Sequence, residues 1–159
     1  MTTDTEKLWD AIEAIRTAML TTVTADGSLD SRPMSAQLDR ADRSLWFITS
    51  FDTGAAHEIA DGAEVNVAFG DTGGRTWASV SGTARVVRDP VKAKALWSPF
   101  AEAWLPEGPE ASNVALIHVT PSHGTLWDMP SKLVQLFQVA KANVTQTPPD
   151  GGEVVHVAL

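Results

Sequence analysis

A chain of 159 residues with 43% hydrophobic content suits one domain with a real core, residues 1–159, and its net charge of −8 argues against general nucleic-acid binding. The absence of cysteine excludes disulfides, thiolate catalysis and Cys-ligated zinc. No apolar run approaches membrane-spanning length, and MTTDTEKLWD lacks the basic-then-apolar order of a signal peptide, so a cytoplasmic protein with no membrane partner is expected.

The first predicted element is a helix. Thr3 and Glu6 stand at capping-box spacing, and Leu8, Ile12, Ile15 and Met19 recur at helical intervals. From Leu20 the pattern changes to strands, with Asp26-Gly27 as a hairpin signal between LTTVTA and SLDSRPMSAQL. The polar DRADR at 39–43 turns the chain into SLWFITS, whose continuous apolar run suits a strand buried on both faces. A short helix over 54–61 follows, and Val65, Val67 and Phe69 then alternate as a half-buried strand.

After a turn at 71–74, Ala78, Val80, Gly82, Ala84 and Val86 share one face of a long strand, opposite Trp77, Ser79, Ser81, Thr83 and Arg85. Gly82 inside it suggests a barrel corner. Asp89-Pro90 and Ser98-Pro99 each start a helix, and LPEGPEAS is a loop. Strands are expected over 114–119 and around 124–127, with a turn at Pro121 between them. Residues 132–144 are helical by periodicity, and the turn-rich TPPDGGE precedes a last strand, VVHVA. Many short strands joined mostly by hairpins, with helices between them and at the ends, predict a mainly β, largely antiparallel sheet closed or partly closed into a barrel.

Few residues point to chemistry. The four histidines show no metal-ligand spacing, so no metal is expected, and no G-x-S-x-G elbow, P-loop or G-x-G-x-x-G pattern occurs. SRPMSAQ is more informative. A proline inside a predicted strand places that segment at an edge or bulge, where backbone groups can face a ligand, and Arg32 offers a planar fork of donors suited to phosphate. TSFDTGAAHEI, residues 49–59, combines small and hydroxyl residues with a helix start, but it contains Asp52 and Glu58 and no Lys or Arg. Either segment alone reads as edge-strand or capping chemistry. If the SRPM strand pairs with SLWFITS, Arg32 and the turn at 49–55 meet at one end of a hairpin and form a plausible phosphate cradle.

The order of an N-terminal helix, TTVTADGSLDSRPM, LWFITSFDTGAAHEI, VNVAF, SVSGTARVVRD, LW-P-WLPEG and a strand with TLWD resembles the general stress protein 26-like branch of the pyridoxamine 5'-phosphate oxidase-related flavoproteins. The resemblance covers nearly the whole chain. It implies an FMN-binding split β-barrel of Greek-key type and a homodimer with flavin at the subunit interface. By the same resemblance Arg32 touches the FMN phosphate, Pro33, Met34 and Ser35 run along the ring edge, and Ile48, Thr49 and Ser50 lie beside the ribityl chain and phosphate. Thr53, Gly54 and Ala55 form the phosphate turn, and Trp77 and Trp127 of the partner subunit stand against the flavin.

This chain departs from the pattern at two places. Relatives commonly carry Lys where it has Ala55, and losing such a charge-assisted contact costs about 1.5–3 kcal/mol. FMN binding is then weak, or the pocket takes FAD or the deazaflavin F420. True pyridoxamine phosphate oxidases also carry an Arg-x-His element near the end and a strand Lys where Gln37 stands, so pyridoxal phosphate synthesis is not expected. The implied activity is flavin-dependent redox chemistry on an unknown small molecule, with no side chain as general acid or base. The alternatives are a non-catalytic flavin-binding stress or sensor protein and an empty split barrel.

Overall fold

The structure, a computed structural model, describes residues 1–148 and 151–159. In chain order the elements are α1 (Asp4–Ile15), β1 (Thr17–Val23), β2 (Leu29–Ser35), β3 (Gln37–Asp39), β4 (Ser44–Ser50), α2 (Gly54–Glu58), β5 (Ala63–Asp71) and β6 (Thr76–Val87). There follow α3 (Pro90–Leu96), α4 (Pro99–Trp104), β7 (Val114–Asp128), α5 (Lys132–Thr145) and β8 (Glu153–Ala158).

The capping box is present. The Thr3 hydroxyl accepts the Glu6 N–H at 3.2 Å, and the Glu6 carboxylate accepts the Thr3 N–H at 2.7 Å. Leu8, Trp9 and Ile12 bury one face of α1. The helix stops earlier than its spacing predicts, because Arg16 turns to φ 63°. Met19 therefore belongs to β1, on the face opposite the buried Ala18, Leu20 and Thr22, and is 42% exposed.

All strand pairs among the described residues are antiparallel, in the order β2-β1-β5-β6-β7-β4-β3 with β8 on β7. β5, β6 and β7 are consecutive neighbours and β4 returns beside β7, a Greek-key arrangement. The two ends of this path, β2 and β3, are separated in sequence by Ala36 alone. One residue can link the opposite edges of a sheet only if the sheet curls until those edges meet. The fold is thus a split β-barrel with flanking helices: the pattern predicted a closed or partly closed barrel, and the resemblance its split form.

Its core lies inside the curl. Register places Arg32 opposite Leu20, Leu20 opposite Val67, and Val67 opposite Val80, so these four point to one face. SLWFITS is buried on both faces as expected. Leu45 and Phe47 enter the main core, whereas Trp46 and Ile48 enter a second cluster with Ala93 of α3 and Val114 and Leu116 of β7.

Three expectations need correction. The two strands predicted at 114–119 and 124–127 are one strand, with no turn at Pro121. Pro121 lies opposite Gly82 at a register shift, where its missing N–H is tolerated. Next, α2 ends at Glu58 rather than at residue 61, because Ile59 takes extended backbone and is buried, and the chain then turns at Gly62, φ 79°. Last, β2 pairs with β1 and not with β4; the hairpin partner of β4 is the short β3. Residues 132–145 form the predicted helix, and the turn-rich stretch before β8 lies partly outside the described residues.

Candidate functional site

Arg32 reaches α2, at its last residue Glu58, by a different route from a shared hairpin. Arg32 lies on the inner face of β2 with Leu20 and Val67, so its side chain extends across the curl. Arg32 Nη1 donates to the Thr22 hydroxyl at 2.6 Å, and Nη2 donates to Glu58 Oε2 at 2.7 Å and Asp30 Oδ2 at 3.1 Å. The Thr22 hydroxyl in turn donates a short hydrogen bond to the same Glu58 oxygen. Arg32 and Glu58 side chains are only 21% and 20% exposed, which makes this pair much stronger than a solvated one. One guanidinium meets two carboxylates, so the cluster as it stands is net negative.

The turn itself is held by hydroxyls. Thr53 Oγ1 accepts the Ala56 N–H at 3.3 Å and donates to the Ser50 carbonyl at 2.9 Å, with Thr49 Oγ1 3.1 Å away. Thr53 is the N-cap, so the N–H groups of Gly54 and Ala55 have no intrahelical acceptor. Glu58 spans the two halves. Its other oxygen, Oε1, lies 3.8 Å from where a Cβ on Gly54 would stand. Arg32 is thus joined to α2 through Glu58, while Thr49 and Thr53 hold the turn at the other end of that helix.

The remaining expected site residues are spread over α2, both faces of β4 and the β2 edge. Ala55 is 5% exposed and its methyl packs in the core. Ile48 sits in the second cluster under α3, on the face of β4 opposite Thr49. Ser50 shares that opposite parity, although its carbonyl serves the turn. Pro33 and Ser35 are exposed on the edge strand, while Met34 packs partly against the core.

Trp77 and Trp127 stand directly opposite each other across β6 and β7, on the face away from Val80 and hence away from Arg32. Within one chain the sheet separates the tryptophan pair from the arginine. That outer face also carries a shallow cavity of about 390 Å³ lined by Thr21, Leu29, Asn66, Ser81, Thr83 and His123. Gln37 donates to the Leu96 carbonyl at 2.7 Å and ties β3 to the end of α3.

Two residues of the cluster escape a reading by motif. Glu58 shows in the sequence only as a charge that disfavours phosphate. Thr22 has a weak signal: it is a hydroxyl at the parity of Ala18 and Leu20, where an apolar residue is expected, and it is 1% exposed.

A second buried polar group lies beyond this cluster. The His118 ring stacks on Trp46 at 4.1 Å between centroids, and Lys92 Nζ lies 4.8 Å from the Trp46 ring centre. Asp42 Oδ2 is 3.4 Å from His118 Nε2, but neither ring nitrogen makes a well-aligned hydrogen bond. Burial, and then the positive charge of Arg85, hold the His118 pKa below its ordinary value of 6.5. The unfolded chain therefore takes up this proton more readily than the folded one. The contribution of His118 to stability is complete above about pH 6.5 and is lost as pH falls below it. Urea midpoints measured between about pH 7.5 and 5 should decline in the native protein and decline less in His118→Phe; parallel curves would remove His118 from this dependence.

The comparisons with known proteins agree with this architecture. A candidate general stress protein 26 from Jannaschia sp. CCS1 superposes with a TM-score of 0.79 at 30% identity, covering 98% of each chain. The general stress FMN/FAD binding protein of Xanthomonas citri gives 0.69 at 34% identity, over 79% of this chain and 89% of that one. The protein bli-3 of Neurospora crassa is 30% identical over 110 residues, 64% of this chain, which spans about half (53%) of that relative's length. The family model described as pyridoxamine 5'-phosphate oxidase like matches residues 3–150, and with these strands, this register and this closure the chain belongs to that family.

Proposed function

We propose that the chain is a cytoplasmic flavin-binding protein of the general stress protein 26 type, with FMN as its flavin and redox chemistry on a small molecule as its activity. The observation that carries this reading is the partly buried guanidinium of Arg32 on the inner face of the curl, which meets α2 through Glu58. The donor set suits a phosphate: a guanidinium and two backbone N–H groups without intrahelical acceptors, beside two hydroxyls that hold the turn. The FMN/FAD-binding relative from Xanthomonas citri supports the flavin as the molecule that bears it.

In this reading Arg32, Thr49, Thr53 and the N–H groups of Gly54 and Ala55 hold the phosphate end. Pro33, Met34 and Ser35 present the β2 edge to the ring, and Ile48 and Ser50, whose side chains face away from Thr49, meet the ribityl chain only through their backbone. Bound FMN would supply reversible electron or hydride transfer, while the protein binds, orients and shields it. Because Trp77 and Trp127 lie on the outer face, they meet a flavin held near Arg32 only if a second copy supplies them. Bare apolar surface supports such a homodimer. Leu29 is 74% exposed, and Leu133, Leu136, Phe137 and Val144 along α5 are 71–85% exposed. Gln37, bound to the Leu96 carbonyl, and the absence of Arg beyond Arg88 speak against pyridoxamine phosphate oxidation.

Titration of purified protein with FMN, followed by absorbance and quenching of flavin fluorescence, tests the reading. Saturable binding with a Kd of roughly 100 µM or below is expected. If FMN, FAD and F420 all fail to bind, the barrel holds no flavin and the proposal falls. Turnover of bound flavin with a reductant and an acceptor would separate an oxidoreductase from a sensor.

A further inference from the structure

Glu58, the last residue of α2, is the group through which that helix meets Arg32. Its Oε2 takes hydrogen bonds from Arg32 at 2.7 Å and from Thr22, and its Oε1 lies beside Gly54 at the start of α2. A carboxylate there takes the guanidinium and hydroxyl hydrogen bonds that a phosphate oxygen would take, as an acceptor-only anion.

Resting on the flavin reading above, we propose that Glu58 is an internal competitor for the flavin phosphate and makes flavin an exchangeable ligand of this protein. A phosphate must displace the carboxylate before Arg32 can serve it. The local structure suits displacement. Glu58 is the last residue of a five-residue helix, and Arg32 keeps Thr22 and Asp30 as partners when Glu58 swings away. Asp30 stays 60% exposed and is thus a weaker rival for the guanidinium than Glu58. Ala55 acts in the same direction, since its methyl fills the core and adds no cation to offset Glu58. The selectivity is one of charge: ligands with a phosphate meet the competitor, and an uncharged ribityl end does not.

Parallel titrations of native protein, Glu58→Gln and Glu58→Ala with FMN and with riboflavin test this. Glu58→Gln keeps the shape and removes the charge. It should tighten FMN by about ten- to hundredfold, through a slower off-rate, and leave riboflavin within about twofold. Glu58→Ala, checked for folding by its thermal transition, should shift FMN in the same direction. Unchanged or weaker FMN binding in the folded variants would make Glu58 a positioning residue for Arg32 and overturn the proposal while the flavin reading stands. An equal gain for riboflavin would also overturn it, by showing that space and not charge was released. Failure of both flavins on every variant would overturn the flavin reading and the competitor with it.

Discussion

Arg32→Ala is expected to weaken FMN binding by about ten- to hundredfold while changing riboflavin affinity by no more than about threefold. The magnitude follows from the charge-assisted contact that a guanidinium makes with a phosphate, worth roughly 1.5–3 kcal/mol. No lysine replaces it, because position 55 is an alanine packed in the core. The substitution also leaves Glu58, 20% exposed, without its cation, which costs about 1–3 kcal/mol of folding stability. A thermal melt beside each titration separates the two effects. Arg32→Lys restores the charge but not the fork and should recover only part of the affinity. Equal losses for FMN and riboflavin would place Arg32 at the ring; no loss for either would remove it from the site.

Gly82→Ala is expected to destabilise the fold by about 3 kcal/mol, lowering Tm by about 6–12 °C. A Cβ on Gly82 would stand 2.1 Å from the Thr120 carbonyl oxygen and 2.8 Å from the Pro121 Cα, both backbone atoms of the neighbouring strand. No rotamer relieves such a clash, so β6 and β7 must part at the register shift that gives the barrel its corner. Gly151→Ala is the control, since nothing lies within 4 Å of its Cβ position. Calorimetry of the two variants should show a lowered transition for Gly82→Ala alone. Matching transitions would mean that the bulge yields without cost.

These two residues differ in how far the sequence discloses them. Gly82 interrupts a run of alternating apolar residues, and that local break is enough to announce close backbone approach. SLWFITS, the Asp26-Gly27 hairpin and the Thr3–Glu6 box are legible for the same reason, since each is decided by residues near in sequence. Arg32 is legible as a candidate, but the route by which it meets α2 is not. That meeting depends on β2 joining β1 at one end of the sheet and on the curl bringing this edge over α2. No periodicity within 20 residues encodes such closure. Pro121 misled for a related reason: its place in β7 is secured by Gly82, nearly forty positions earlier. Trp77 and Trp127 were readable as strand residues; their mutual opposition emerged only from the register of β6 on β7.

The single residue between β2 and β3 sets how the site can open. Ala36 is 4% exposed, and its N–H donates to the Arg16 carbonyl at 2.8 Å. It acts as a clasp on the barrel's seam, so the strand bearing Arg32 cannot pivot away from the wall formed by β3 and β4. The jaw facing it is α2, five residues long and tied to Arg32 and Thr22 through Glu58. A ligand reaching Arg32 would therefore be accommodated on the α2 side, where the Glu58 carboxylate stands, rather than between β2 and β3.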